Sequence, residues 1–95
     1  MHAERPNILL HYDFLYVFNS YVLVLKDDHS KLLELTHAAA ANHFVVVEAL
    51  LAWYSRNGLV LKHVSDQGSH FKNSVLKLLN SRLGTEHHFT TAYSL

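Results

Sequence analysis

The stretch LVLKHVSDQGSHFKNSVLKLLNSRLGTEHHFTTAY, residues 59–93, changes its hydrophobic period twice, and that change decides the fold class. Its first part, LVLKHVSD (59–66), is rich in branched aliphatic side chains, has the length of a strand, and ends on an acid. QGS follows, a tight turn in which glycine allows another group to approach the backbone closely. From Phe71 onward, apolar residues recur every four positions at Val75, Leu79 and Leu83, with Lys72, Asn73, Lys77 and Asn80 between them. This pattern predicts an amphipathic helix over 71–83, stopped by Gly84. TEHHFTTAY (85–93) returns to threonines and aromatics and reads as a further strand.

Upstream, NILLHYDFLYVF (7–18) is apolar at alternate positions on both faces, so it reads as a central strand buried on both sides. Asn19 and Ser20 close a hairpin into a second strand, YVLVLK (21–26). DDHS (27–30) is turn chemistry, and KLLELTH (31–37) returns antiparallel as a third strand. The alanine-rich segment 38–58 then places Phe44, Val47, Leu51 and Tyr54 at helical spacing before Gly58 ends it. That helix lets the strand at 59–66 lie in the same sheet as the first three. The expected order is β-β-β-α-β-α-β, an α/β fold.

With 95 residues the chain is one small domain, and 49% hydrophobic against 17% charged residues excludes a disordered polymer. Eight basic and eight acidic side chains cancel, so a polyanion partner requires local lysines or metal ions. The absence of cysteine excludes disulfides and thiolate zinc sites. The apolar runs are too short or too interrupted to span a bilayer, and the first residues lack the pattern of a signal peptide, so no membrane partner is expected.

Two acids stand out. Asp13 falls in the middle of the first strand, between Tyr12 and Phe14, where an unpaired carboxylate is costly to bury. Asp66 ends the fourth. Singly, the commoner explanations are a salt bridge or exposed strand face for the first and a turn or cap for the second. If the first and fourth strands are neighbours, however, the two carboxylates converge on one hard cation, as phosphodiester chemistry requires. Asp27 and Asp28 read as a solvated turn. Of nine histidines, none forms a helical ligand pair, and His87 and His88 point to opposite faces of one strand. His70 lies in the turn after Asp66, within reach of a phosphate; Lys72 and Lys77 join it as candidates. Trp53 and Tyr54 read as packing.

VSDQGSHFKNSVLKLLNSRLGTEHHFTTAYS (64–94), together with NILLHYDFLYV and YVLVLKDDHSKLLEL, resembles the integrase core of gypsy-type long-terminal-repeat retrotransposons, a family similar to retroviral integrases. The likeness runs from about Pro6 to the end of the sequence. It implies a ribonuclease-H-like fold with a mixed five-stranded sheet, and a DDE-type polynucleotidyl transferase using two aspartates and a glutamate to hold Mg2+ or Mn2+. Asp13 matches the first catalytic aspartate and Asp66 the second, 53 residues on. In this resemblance Gly68 clears room for DNA and Tyr93 falls where the family's active-site loop begins; with His70 and Lys72, read from their place after Asp66, they are the candidate DNA contacts. The family's glutamate follows the second aspartate by roughly thirty-five residues and completes the metal site, whereas 29 residues follow Asp66 here, and Glu86 comes too early, within a strand.

The expectation is therefore a single truncated core domain over 1–95, with a tail at 1–6 and the C-terminal helices missing. Its parent performs DNA integration in the nucleus, and the chain alone is inactive. The alternative is a non-catalytic remnant that self-associates or serves as a DNA or protein interaction module, because a sheet face without its covering helices exposes apolar surface.

Overall fold

Antiparallel hairpins and parallel crossovers meet in one five-stranded sheet. In the computed structural model, which describes residues 8–90, the elements are β1 (Leu9–Val17), β2 (Ser20–Asp27), β3 (Leu33–Ala38), α1 (His43–Asn57), β4 (Lys62–Asp66), α2 (Ser74–Leu83) and β5 (Glu86–Thr90). The spatial order is β3-β2-β1-β4-β5. β2 pairs antiparallel with β1 and with β3, whereas β4 pairs parallel with β1 and with β5. The element order read from the sequence is the observed one.

Local details differ from the expectation, each for a physical reason. The hairpin turn is Phe18-Asn19, not Asn19-Ser20: both residues have positive φ (49° and 61°), and Ser20 already pairs with Val17. Two positive φ values in a two-residue loop suit the right-handed twist of the flanking strands. The four alanines do not start the helix. Ala38 is still paired with Tyr21, and Asn42 caps α1 by accepting a hydrogen bond from the Val45 N–H at 3.1 Å. Asn73 caps α2 in the same way through the Leu76 N–H at 3.0 Å. Gly58 and Gly84, at φ 87° and 70°, end the two helices where the sequence placed their stops.

Alternation along the strands sorts the sheet into two faces. Leu10, Tyr12 and Phe14 share one face with His63 and Ser65 of β4 and with His87 and Phe89 of β5. Both helices pack on this face. The buried stripe of α1 is Val46, Ala49, Leu50 and Trp53, so the expected stripe is rotated: Phe44 is 67% and Leu51 49% exposed. In α2 the inward residues are Leu76 and Asn80, while Val75 is exposed. A four-residue spacing drifts around a helix with 3.6 residues per turn, so several apolar rows compete and only the packing chooses among them. Trp53 is buried, as read from the sequence, and burying an aromatic of that size contributes roughly 2–3 kcal/mol.

The opposite face carries Leu9, His11, Asp13, Val64 and Asp66, and beyond them the exposed Leu15, Val17, Leu33 and Leu35. β1 is thus buried on both faces only in its first half. Asp27 and Asp28 correct another expectation, since both are buried. Asp27 Oδ2 accepts from the Ser30 N–H and hydroxyl at 2.8 Å, and Asp28 Oδ1 lies 2.9 Å from His11 Nε2. The turn exists, but its acids are spent on structure.

Beneath the helices lies a polar cluster. The Tyr54 hydroxyl is 2.8 Å from His63 Nε2, and the Tyr12 hydroxyl is 3.4 Å from His63 Nδ1 and 3.1 Å from His87 Nε2. Burial disfavours the charged imidazolium, lowering the pKa of His63 to about 3 and that of His87 to about 4, with the neighbouring His87 and His88 adding to the respective shifts. Both folded-state values lie below the unfolded one, so the stability of the neutral rings is complete above the ordinary histidine pKa and is lost as pH falls from there toward about 4 and about 3. Urea melts at pH 7 and pH 5 are expected to differ by roughly 2 kcal/mol for each of these two histidines, and His87→Gln is expected to halve the difference.

Candidate metal centre

Asp13 and Asp66 come together because β1 and β4 run parallel. Their ladder pairs Leu9 with Lys62, Leu10 with His63 and His11 with Val64. Continuing that register by two residues sets Asp13 opposite Asp66, and alternation puts both side chains on the face without helices. The negative charge of Asp66 acts on the Asp13 carboxyl. β4 ends at Asp66 while β1 continues, so the pair sits at a strand end with the hairpin projecting past it.

Backbone geometry orients each carboxylate. Asp13 Oδ1 accepts from the Phe14 N–H at 2.9 Å, and Asp66 Oδ1 accepts from the Gly68 N–H at 2.8 Å. Both leave the second oxygen for another partner. The turn closes when Gly68 O accepts from the N–H groups of Phe71 and Lys72, at 2.9 and 2.8 Å. A Cβ at Gly68 would stand 2.8 Å from the His70 ring and 3.0 Å from Asp66 Oδ1. Glycine therefore makes room first for His70, whose ring lies edge-on to Phe14 (5.0 Å) and Phe71 (4.2 Å).

Partial burial raises the Asp13 carboxyl above its ordinary pKa; the Phe14 N–H pulls it back, Asp66 pushes it up again, and His70 lowers it. Two half-buried carboxylates side by side repel one another and gain from a cation between them. Among the described residues no cluster of three histidine, aspartate or glutamate side chains is placed to hold an ion. Glu86 pairs with Lys62, four positions before the Asp66–Thr90 pair, or roughly 13 Å down the strand. His70 is brought to the acids; Lys72 is not, since its Nζ lies 5.5 Å over the Phe89 ring and 3.3 Å from Gln67 Oε1. Tyr93 lies outside the described residues.

The polar cluster of Tyr12, Tyr54, His63, Ser65, Asn80 and His87 was not singled out by the sequence reading. Its signal was the alternation of His63 and Ser65 on one strand, with His87 in register with His63 on the next. Asn80 was assigned to the solvent face of its helix and is buried.

The result is a mixed five-stranded sheet with two aspartates on adjacent parallel strands at one end. The profile of the Integrase core domain matches residues 3–94, and the chain belongs to that family. The magnesium-bound catalytic core of HTLV-2 integrase, in its trimeric form, superposes with a TM-score of 0.86 at 17% identity, covering 94% of this chain and 63% of that one. The integrase in the simian T-cell lymphotropic virus intasome, bound to the PP2A regulatory subunit B56 gamma, gives 0.87 at 17% identity, covering 99% of this chain and 35% of that one. The BIV integrase core gives 0.82 at 20%, covering 93% and 57%. The chain thus spans less than two thirds of the length of each of these structures, and the shared feature is the ribonuclease-H-like integrase core fold. No curated protein matches at the sequence level.

Asp13→Asn removes one of two repelling, half-buried charges. In the presence of chelator it is expected to raise the melting temperature above that of the wild type, because the neutral amide ends the repulsion by Asp66; calorimetric scans in EDTA check this.

Proposed function

We propose that this chain is the catalytic-core fold of a gypsy-type retrotransposon integrase, acting on DNA through one or more divalent ions, Mg2+ or Mn2+, held by Asp13 and Asp66. The observation that carries the reading is the β1–β4 register, which aligns two carboxylates 53 residues apart in sequence. The donor set fits such an ion: Mg2+ commonly takes one or two carboxylates and completes its shell with water and phosphate oxygens. When bound, the ion supplies charge neutralisation at the phosphodiester and a more acidic water or hydroxyl.

The chain's own groups do the positioning. Phe14 and Gly68 N–H groups hold the two carboxylates in fixed orientations. His70, beside the pair, offers an imidazole to a passing phosphate oxygen, and Gly68, by lacking a side chain, leaves the ring room to stand there. Lys72 reaches a phosphate on leaving Phe89, and Tyr93 is a further DNA contact in this reading. The proposed role of Asp13 and Asp66 is to hold the ion against the phosphodiester of the DNA. The proposed compartment is the nucleus, where the DNA target resides.

Exposed Leu15, Val17, Leu33 and Leu35, together on the face without helices, favour a second reading, a self-associating remnant whose role is interaction alone. Thermal melts with and without Mg2+ or Mn2+ separate the two. Under the first reading, millimolar metal raises the melting temperature and Asp66→Asn removes the rise, because an ion that binds only the native state stabilises it by mass action. A wild-type chain indifferent to metal that sediments as a concentration-dependent oligomer would leave only the second.

A further inference from the structure

The tip of the β1–β2 hairpin carries a residue that the fold does not need. Phe18 opens the two-residue turn at φ 49° and is 97% exposed. A side chain of that bulk is disfavoured in the left-handed region, which glycine, asparagine and aspartate enter far more readily. Burial offsets none of the penalty, because the ring stands in solvent. Its neighbour Asn19, at φ 61°, is by contrast a residue such a turn prefers. Folding gives no reason for an aromatic ring at position 18, and a backbone outlier of this kind points to a contact outside the chain.

Position, chemistry and size together select that contact. Phe18 follows Asp13 by five residues, roughly 17 Å along the same hairpin, and β4 has already ended at Asp66, so the ribbon projects beyond the acid pair. Residues 14–25 carry no charge; the tip neither repels a polyanion nor grips its phosphates, and offers ring faces and methyl groups instead. Its two sides differ. Leu15 and Val17 are exposed on the side of Asp13, and Tyr16 is exposed on the other, with its ring 5.0 Å from that of its cross-strand partner Tyr21 and its hydroxyl donating to Asn19 Oδ1 at 3.3 Å. Exposed aromatics held in place in this way stack on bases. The end of a two-stranded ribbon is also too narrow for the roughly 800 Å2 that each partner buries in a stable protein interface, whereas one apolar side chain suffices to part a base step.

We propose that the β1–β2 hairpin is a strand-separating wedge: Phe18 stacks on the last closed base pair of a DNA end, one strand passes over Val17 and Leu15 toward Asp13 and Asp66, and the other stacks on Tyr16. The inference rests on the reading of the two acids as a metal centre acting on DNA, and adds to it the form of the substrate, a duplex end whose terminal pairs are open. Roughly 17 Å is the rise of about five nucleotides of one strand, which sets the length of the opened stretch. The wedge lowers the cost of opening by replacing the base stacking that is lost with stacking on the ring.

Fluorescence anisotropy on the full chain in Mg2+, with a labelled blunt duplex, the same duplex opened into a fork of about five nucleotides and the single strand as probes, tests it. The expected result is binding of the fork about tenfold tighter than of the blunt duplex, the equivalent of about 1.4 kcal/mol. Phe18→Gly is expected to erase that preference and Phe18→Tyr to keep it. Phe18→Gly is also expected to raise the melting temperature, because glycine suits the positive φ, and to keep the metal-dependent rise, so its loss of preference is not a loss of fold or of the metal centre. Equal affinity for fork and blunt duplex in a wild-type chain that metal stabilises, or a preference that survives Phe18→Gly, would overturn the wedge and leave the metal-centre reading standing. A chain that metal does not stabilise would overturn that reading, and the wedge with it. A single strand bound as tightly as the fork would overturn strand separation, and a sedimenting dimer that Phe18→Gly dissociates would give the ring to a second copy instead of to DNA.

Discussion

Three residue pairs of parallel ladder, Leu9 with Lys62, Leu10 with His63 and His11 with Val64, join the hairpin half of the sheet to the crossover half. Everything functional hangs on that seam. A slip of one residue would flip every β4 side chain to the other face, carrying Asp66 beneath the helices and His63 away from Tyr12 and Tyr54. Register is held from both sides, because Leu10 and Tyr12 are fully buried in the apolar cluster and His63 is bonded within it. The core does not merely support the acid pair; it determines which atoms of β4 face which atoms of β1.

The two faces of the sheet divide the work. Under the helices, polar groups are neutral and interlocked, with two tyrosines and two histidines sharing hydrogen bonds. On the other face the acids stay partly exposed. Neutral polar groups suit a low-dielectric interior, whereas ionised carboxylates need water access. The same strands serve both demands because adjacent residues point in opposite directions: Ser65 binds inward and Asp66 lies on the face without helices.

Much of this was legible in the sequence. Strand and helix order followed from a change of hydrophobic period, and both helix stops from single glycines. Asp13 and Asp66 were legible as candidates because acids are conspicuous in apolar strands. The details that escaped were those that depend on tertiary partners. The four alanines favour helix locally, yet Ala38 remains in the sheet because Tyr21 is there to pair with it. Phe44 and Leu51 have the right spacing for a core stripe, and a neighbouring stripe through Leu50 and Trp53 takes the place. Asp28 looked solvated because the sequence does not reveal that His11 waits 2.9 Å away. Asn80 looked like surface because nothing local announces the half-buried His87 opposite it.

The long separation between the two acids has a consequence for how the protein comes into being. Their strands are joined by a hairpin pair and a helix, so the seam between them is among the costliest contacts to close and forms only with cooperative collapse. While the chain is being synthesised, Asp13 is an ordinary strand residue and the two acids are not yet neighbours. In the proposed metal-binding role, ion affinity would appear together with the native state, so that a divalent cation would reward completed folding and ignore every partial one.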